Sequence, residues 1–177
     1  MKKGFTLVEL LVVMAIIAIL ATVIIGGFRS SQMRGRDAQR KSDLKQVANA
    51  LEIFFTDYGK YPPASGVAIA ACSYNPGTGA GSACLWGSRT STGTITDGKT
   101  TYMRTVPADP INSHNYVYRV SSTQNMFQLF ARLENPEDKN CIGGDCANPG
   151  VTATCGGGNL CNFGLTSTNT SPTDTLP

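Results

Sequence analysis

At 177 residues and a net charge of +3, the chain has room for one domain of ordinary size and too little charge to name a partner. Its 41% hydrophobic content is unevenly spread: residues 5–28 are almost wholly apolar, whereas 73–101 and 142–177 are dominated by Gly, Ser, Thr, Asn and Pro. No nucleophile–base constellation, phosphate loop or H-E-x-x-H zinc motif occurs, which argues against an enzyme.

The chain opens Met1-Lys2-Lys3-Gly4-Phe5-Thr6-Leu7-Val8-Glu9-Leu10, and from Leu10 to Phe28 it runs for 19 residues without a charge. As a helix rising about 1.5 Å per residue this stretch spans roughly 28 Å, close to the hydrocarbon thickness of a bilayer, so a membrane-inserted helix is expected. A secretory signal peptide fits less well: the run is long, holds a carboxylate and is followed by no A-x-A-like site. Against a plain anchor stands Glu9, inside the apolar segment, where an unpaired carboxylate is costly and asks for a partner.

Lys2-Lys3-Gly4, then Phe5-Thr6-Leu7-Val8-Glu9-Leu10 and a long apolar helix, resembles the class III signal of type IV pilins and type II secretion pseudopilins. In that family a membrane aspartyl peptidase, the prepilin peptidase, cuts after the glycine and methylates the new terminus. The resemblance implies a cut between Gly4 and Phe5, with residues 1–4 as leader and Phe5 as N-methylphenylalanine. Gly4, lacking a side chain, lets the backbone extend into a protease cleft. The cationic amine left on Phe5 must sit in an apolar stack of helices, where the Glu9 carboxylate of its own or a neighbouring subunit can neutralise it. Breaking a buried pair of charges costs far more than making it gains, so Glu9 reads as an assembly ruler.

Gly26-Gly27, at about 1 kcal/mol each relative to Ala, marks either close helix packing or a point that unwinds during assembly. Beyond the apolar run, Arg29, Arg34, Arg36, Arg40 and Lys41 outnumber Lys2 and Lys3. The positive-inside rule alone would keep that end in the cytoplasm, but the leader and the cysteines place it outside.

Residues 5–28 are thus expected to form the membrane and filament-core helix and 29–58 its amphipathic continuation. Leu44, Val47, Leu51, Phe54 and Tyr58 fall at spacings of three and four, one apolar stripe, and Gly59 before Tyr61-Pro62-Pro63 is a stop signal. Charges around the stripe, from Arg36 to Lys45, would ordinarily be a solvated face, or in a filament would pair between subunits. The segment from Lys41 to Pro62 also resembles pilins and major pseudopilins.

Residues 59–161 are expected to form a globular head. Within it, 64–101 reads as a long loop with turns at Asn75-Pro76-Gly77 and Asp97-Gly98, and Trp86 as a loop anchor. Asn115–Val120 and Asn125–Leu133 read as strands joined by a turn near Ser121–Asn125, with Phe127, Leu129, Ala131 and Leu133 alternating toward the helix. Asn162–Pro177, nearly free of apolar residues, reads as a surface or disordered tail.

The six cysteines, Cys72, Cys84, Cys141, Cys146, Cys155 and Cys161, point to disulfides in an oxidising compartment. Their spacings do not match zinc knuckles, and His114 is the one histidine. Cys72–Cys84 is the natural first pair; the rest of the connectivity stays open. Val106-Pro107-Ala108-Asp109-Pro110-Ile111-Asn112 before Tyr116-Val117-Tyr118 is similar to the strand entry of major pseudopilins, which bind calcium in the head. Asp109, Asn112 and Asp138 offer suitable oxygens for calcium, although Asp-Pro with Asn is also ordinary turn chemistry.

The expected fold is therefore α+β: a long N-terminal α-helix carrying a small antiparallel β-sheet head stapled by disulfides. The resemblance implies a structural pilin, held in the inner membrane as precursor and built by an ATPase-driven assembly platform into an extracellular helical homopolymer. Adhesion, twitching motility or DNA uptake would follow; the runner-up is a major pseudopilin of a type II secretion system. A third reading, DNA binding by the head, rests on Lys60, Arg89, Lys99, Arg104, Arg119, Arg132 and Lys139, which are scattered and form no recognised motif.

Overall fold

A 52-residue helix, α1 (Leu7–Tyr58), carries the rest of the molecule on its C-terminal half. The computed structural model describes residues 4–88 and 90–177, without the side chains of 23–27 and 91. Lys2, Lys3, Arg89 and the Gly26-Gly27 soft spot therefore lie outside the described residues.

Both ends of α1 follow from local chemistry. Thr6, in extended conformation, caps the first turn with its hydroxyl, and Glu9 three residues on reaches back to the Thr6 N–H, a reciprocal capping box. The helix thus begins two residues later than the Phe5 start expected from the apolar run. At the other end Gly59 adopts φ 65°, a left-handed conformation that a glycine takes without a Cβ penalty, and its N–H closes on the Phe55 carbonyl at 2.7 Å.

The two halves of α1 differ in what covers them. From Phe5 to Leu20 the large apolar side chains are 46–81% exposed. Lower down, Leu44, Val47, Leu51 and Phe54 are completely buried against the head. At about 1.5–3 kcal/mol each, these four side chains contribute on the order of 10 kcal/mol of gross burial, an upper figure because unfolded chains already hide some apolar surface.

The head is built of short antiparallel strands. β1 (Ala64–Ser65) pairs with β2 (Ala68–Ile69). β3 (Cys72–Asn75), β4 (Ala80–Ser82), β5 (Ile95–Thr96) and β6 (Thr101–Met103) make a four-stranded sheet in the order β4-β3-β5-β6. The expected long loop over 64–101 is therefore interrupted by short strands of two small sheets. Its strands are two to four residues long, too short for alternation to show in the sequence.

β7 (Val117–Val120), β8 (Phe127–Ala131) and β9 (Phe163–Thr166) form a second sheet, ordered β7-β8-β9. The β7–β8 hairpin is the expected one, with slightly shorter strands. Its turn holds Gln124 at φ 57°, and the Gln124 carbonyl accepts the Tyr61 N–H at 2.7 Å, tying the turn to the end of α1. Phe127, Leu129, Ala131 and Leu133 face the α1 stripe as expected. The opposite face is covered too, since Phe130 packs with Val117, Ile142, Val151, Ala153 and the Cys155–Cys161 pair.

The third strand corrects the reading of residues 162–177 as a disordered tail. β9 is hydrogen-bonded along β8, Asn162 and Ser167 are buried, and the Gln128 amide donates to the carbonyls of Ser171 and Asp174 at 2.7 and 2.9 Å. A segment poor in apolar residues is held here by hydrogen bonds to buried partners, which a hydropathy reading does not register.

Candidate functional site

Two places combine the residues singled out by the sequence: the start of α1, and the junction where its middle enters the head.

At the start, Glu9 Oε2 accepts from the Thr6 backbone N–H at 2.8 Å and from Thr6 Oγ1 at 2.7 Å, while the Glu9 N–H donates to Thr6 Oγ1 at 3.3 Å. The carboxylate thus folds back one turn onto the Phe5–Thr6 peptide, facing the end where a cleaved chain would carry its amine. Phe5 is 78% exposed. A Cβ placed on Gly4 would meet nothing within 4 Å, so no packing inside the subunit demands glycine there. Among the described residues no helix is long and apolar enough to cross a membrane; residues 23–27, which complete the apolar run of the sequence, are not fully among them.

At the junction, Arg40 is wholly buried and faces three carboxylates. Its Nε and Nη2 donate to the two oxygens of Asp109, each at 2.8 Å, and its Nη1 to Asp37 at 2.8 Å and Glu134 at 2.7 Å. Asp37 also accepts the backbone N–H groups of Glu134 and Asn135, both at 2.9 Å, and Arg36 Nε donates to Glu134 at 2.7 Å. Lys41 pairs with Asp138 at 2.6 Å, and the Tyr116 hydroxyl donates to Asp43 at 2.8 Å. Burial alone would lower the Arg40 guanidinium, but its bonds to Asp109, Glu134 and Asp37 outweigh that and hold it above the ordinary value. The Arg36 hydrogen bond, helped by Arg40, holds the Glu134 carboxyl down at about 2. Burial pushes Asp43 up, against the Tyr116 hydroxyl that favours its anion.

These contacts correct the reading of the α1 charges as a solvated or intersubunit face: Arg36, Arg40 and Lys41 pair with the head of their own chain. The signal was present in the spacing. Asp37 and Arg40 continue the three-and-four step of Leu44, Val47, Leu51, Phe54 and Tyr58, so the buried stripe runs on into charge. What the sequence could not supply was the partners, Asp109 and Glu134, 69 and 94 residues away from Arg40.

The oxygens proposed for calcium are engaged elsewhere or apart. Asp109 is committed to Arg40 and the Ile111 N–H, Asp138 to Lys41 and Asn140, and Asn112 lies exposed in a turn. Among the described residues no group of three His, Cys, Asp or Glu could hold a metal ion. All six cysteines are paired, as Cys72–Cys84, Cys141–Cys146 and Cys155–Cys161. Trp86 donates to the Val67 carbonyl at 3.2 Å and packs edge-on to Tyr116, an anchor for its loop.

Residues 1–25 match the Prokaryotic N-terminal methylation motif. The chain is 41% identical over 60 residues to the Type IV major pilin protein PilA of Myxococcus xanthus, covering 34% of this chain and 27% of that protein. It is 41% identical over 59 residues to the Type IV wide pilus major component PilA4 of Thermus thermophilus, covering 33% of this chain and 45% of that protein. Against the Type II secretion system core protein G of Pseudomonas aeruginosa it is 28% identical over 130 residues, covering 73% of this chain and 82% of the other. No solved structure matches. The matches to the two pilins thus span about a quarter and under half of those proteins, whereas the match to core protein G is long enough to reach beyond α1 into the head.

Proposed function

We propose that this chain is a structural, pilin-like subunit, cut between Gly4 and Phe5 and assembled through the apolar half of α1 into an extracellular type IV pilus. The observation that carries this reading is the juxtaposition at the helix start. The exposed Gly4-Phe5 peptide lies one residue before the Thr6 N–H to which the Glu9 carboxylate is fixed, at the head of a stretch whose large apolar side chains have no cover within the subunit. In water that face is strongly unfavourable, so it requires first a bilayer and then other copies of itself. In the filament, Glu9 would meet the new amine of Phe5 in its own or an adjacent copy and set the axial register. The oxidised cysteines fit a head that works outside the cytoplasm.

A second reading, the major pseudopilin of a type II secretion system, draws on one specific observation: the similarity to core protein G covers 130 residues and so reaches from α1 into the head. The two readings share the processing and the assembly and differ in where the filament ends.

The test is intact mass and N-terminal peptide analysis of protein sheared from cell surfaces. A chain starting at methylated Phe5 in sheared filaments supports the pilus. The same processed terminus found only in the envelope, with a secretion defect on deletion, supports the pseudopilus. An intact Met1 confined to membranes overturns both.

A further inference from the structure

Of the five cations from Arg29 to Lys41 that follow the apolar run of α1, three are neutralised inside the subunit: Arg36 by Glu134, Arg40 by Asp37, Asp109 and Glu134, and Lys41 by Asp138. Arg29 and Arg34 are left exposed, and neither meets a carboxylate among the described residues. They lie directly beyond Phe28, itself 62% exposed, which closes the apolar run.

Helix geometry fixes their depth. With the uncharged stretch Leu10–Phe28 filling the hydrocarbon layer, Arg29 stands about 1.5 Å and Arg34 about 9 Å beyond its edge. A polar headgroup layer is roughly 5–8 Å thick on each side, so one guanidinium lies within the phosphate level and the other within side-chain reach of it. A guanidinium matches phosphate oxygens in a two-pronged geometry that lysine lacks. Five residues of separation turn the two about 140° apart around the helix axis, so they reach lipids on different sides rather than one shared anion.

We propose that Arg29 and Arg34 form a collar for the phosphates of anionic lipids, which fixes the depth of the subunit in the bilayer before assembly; this rests on the membrane reading given above. The head decides the composition of that collar. By occupying Arg36, Arg40 and Lys41 it keeps them from the membrane surface and holds the carboxylates that would repel anionic lipid in internal pairs. The free cations are left where the apolar helix ends.

The test uses the full chain reconstituted in vesicles of phosphatidylcholine containing a minor fraction of phosphatidylglycerol. After alkaline washing and flotation, the lipid retained on detergent extraction is read by native mass spectrometry. The wild type is expected to float and to enrich phosphatidylglycerol over its bulk fraction. At roughly fivefold in lipid affinity per arginine, R29Q/R34Q should bring the retained lipid back to the bulk composition. Lys45→Gln, an exposed cation about 24 Å further along the helix than Arg29, should leave the enrichment unchanged. Flotation with undiminished enrichment in R29Q/R34Q overturns the collar and leaves the membrane reading standing. Equal losses in Lys45→Gln would also overturn it, by reducing the effect to net charge. A wild-type chain that does not float overturns the membrane reading and the collar together.

Discussion

Arg40 and Asp109 face each other as a two-pronged pair: Nε and Nη2 of the guanidinium meet Oδ2 and Oδ1 of the carboxylate at 2.8 Å each, with both side chains all but inaccessible to water. The pair joins the middle of α1 to the loop that enters β7, so the helix is held to the head by charge above and by apolar packing below. Arg40→Ala should cost about 3–5 kcal/mol, because it leaves Asp109, Asp37 and Glu134 without their shared cation. Denaturant unfolding followed by the near-ultraviolet signal of Trp86 and the tyrosines checks this; a loss below about 1 kcal/mol would mean water compensates the carboxylates.

Glu134 gives the junction an acid limit. Its folded pKa of about 2 lies below the ordinary 4.5, so the folded state prefers the anion and the unfolded chain takes up the proton first. The stability it contributes is full above pH ~5, declines as the pH falls, and is gone below pH ~2, a total on the order of 3 kcal/mol. Glu134→Gln should lower stability at neutral pH and flatten this acid limb in a pH series of melting curves. A wild-type profile with no slope between those limits would contradict the assignment.

Charge and cap can be separated at Glu9, whose carboxylate also closes the first turn through Thr6. Glu9→Gln keeps an oxygen for the Thr6 N–H and removes the charge; Glu9→Ala removes both. Both variants should fail to assemble, with only the alanine form also showing earlier amide exchange in the first turn. Filaments of normal yield from Glu9→Gln would show that capping, not charge, is what assembly needs.

Removal of residues 162–177 should unfold the head rather than trim it. The deletion takes away β9, the Asn162 amide that donates to the Leu133 carbonyl at 3.1 Å, and the carbonyls that receive Gln128. Limited proteolysis in membranes checks this: rapid digestion throughout 59–161 is expected, whereas a resistant core would restore the tail reading.

The disulfides should differ in weight. Cys72–Cys84 closes a separation of 12 residues, against 5 and 6 for Cys141–Cys146 and Cys155–Cys161. Loop entropy then assigns roughly 3 kcal/mol to the first and about 2 kcal/mol to each of the others. Paired Cys→Ser variants compared by thermal unfolding test the order. The Cys155–Cys161 variant will exceed its entropic share if packing beneath Phe130 dominates instead, since both sulfurs sit in that cluster.

The processing motif, the helix end at Gly59 and the apolar stripe were legible in sequence because each depends on neighbours within a few residues. A cap, a left-handed turn and a three-and-four spacing are local properties of the chain. The β7–β8 hairpin was legible for the same reason: one short turn joins two runs of β-forming residues. The strands between Ala64 and Met103, the third strand β9 and the partners of Arg40 were not. Each takes its stability from groups dozens of residues away, and polar segments such as Asn162–Pro177 look solvated until their hydrogen-bond partners are in place. The sequence by itself determined that one helix carries an exposed apolar half and a buried amphipathic half. Only the tertiary structure decided which of the charges between those halves are spent inside the subunit, because ion pairing depends on distance in space, and spacing along the chain does not report it.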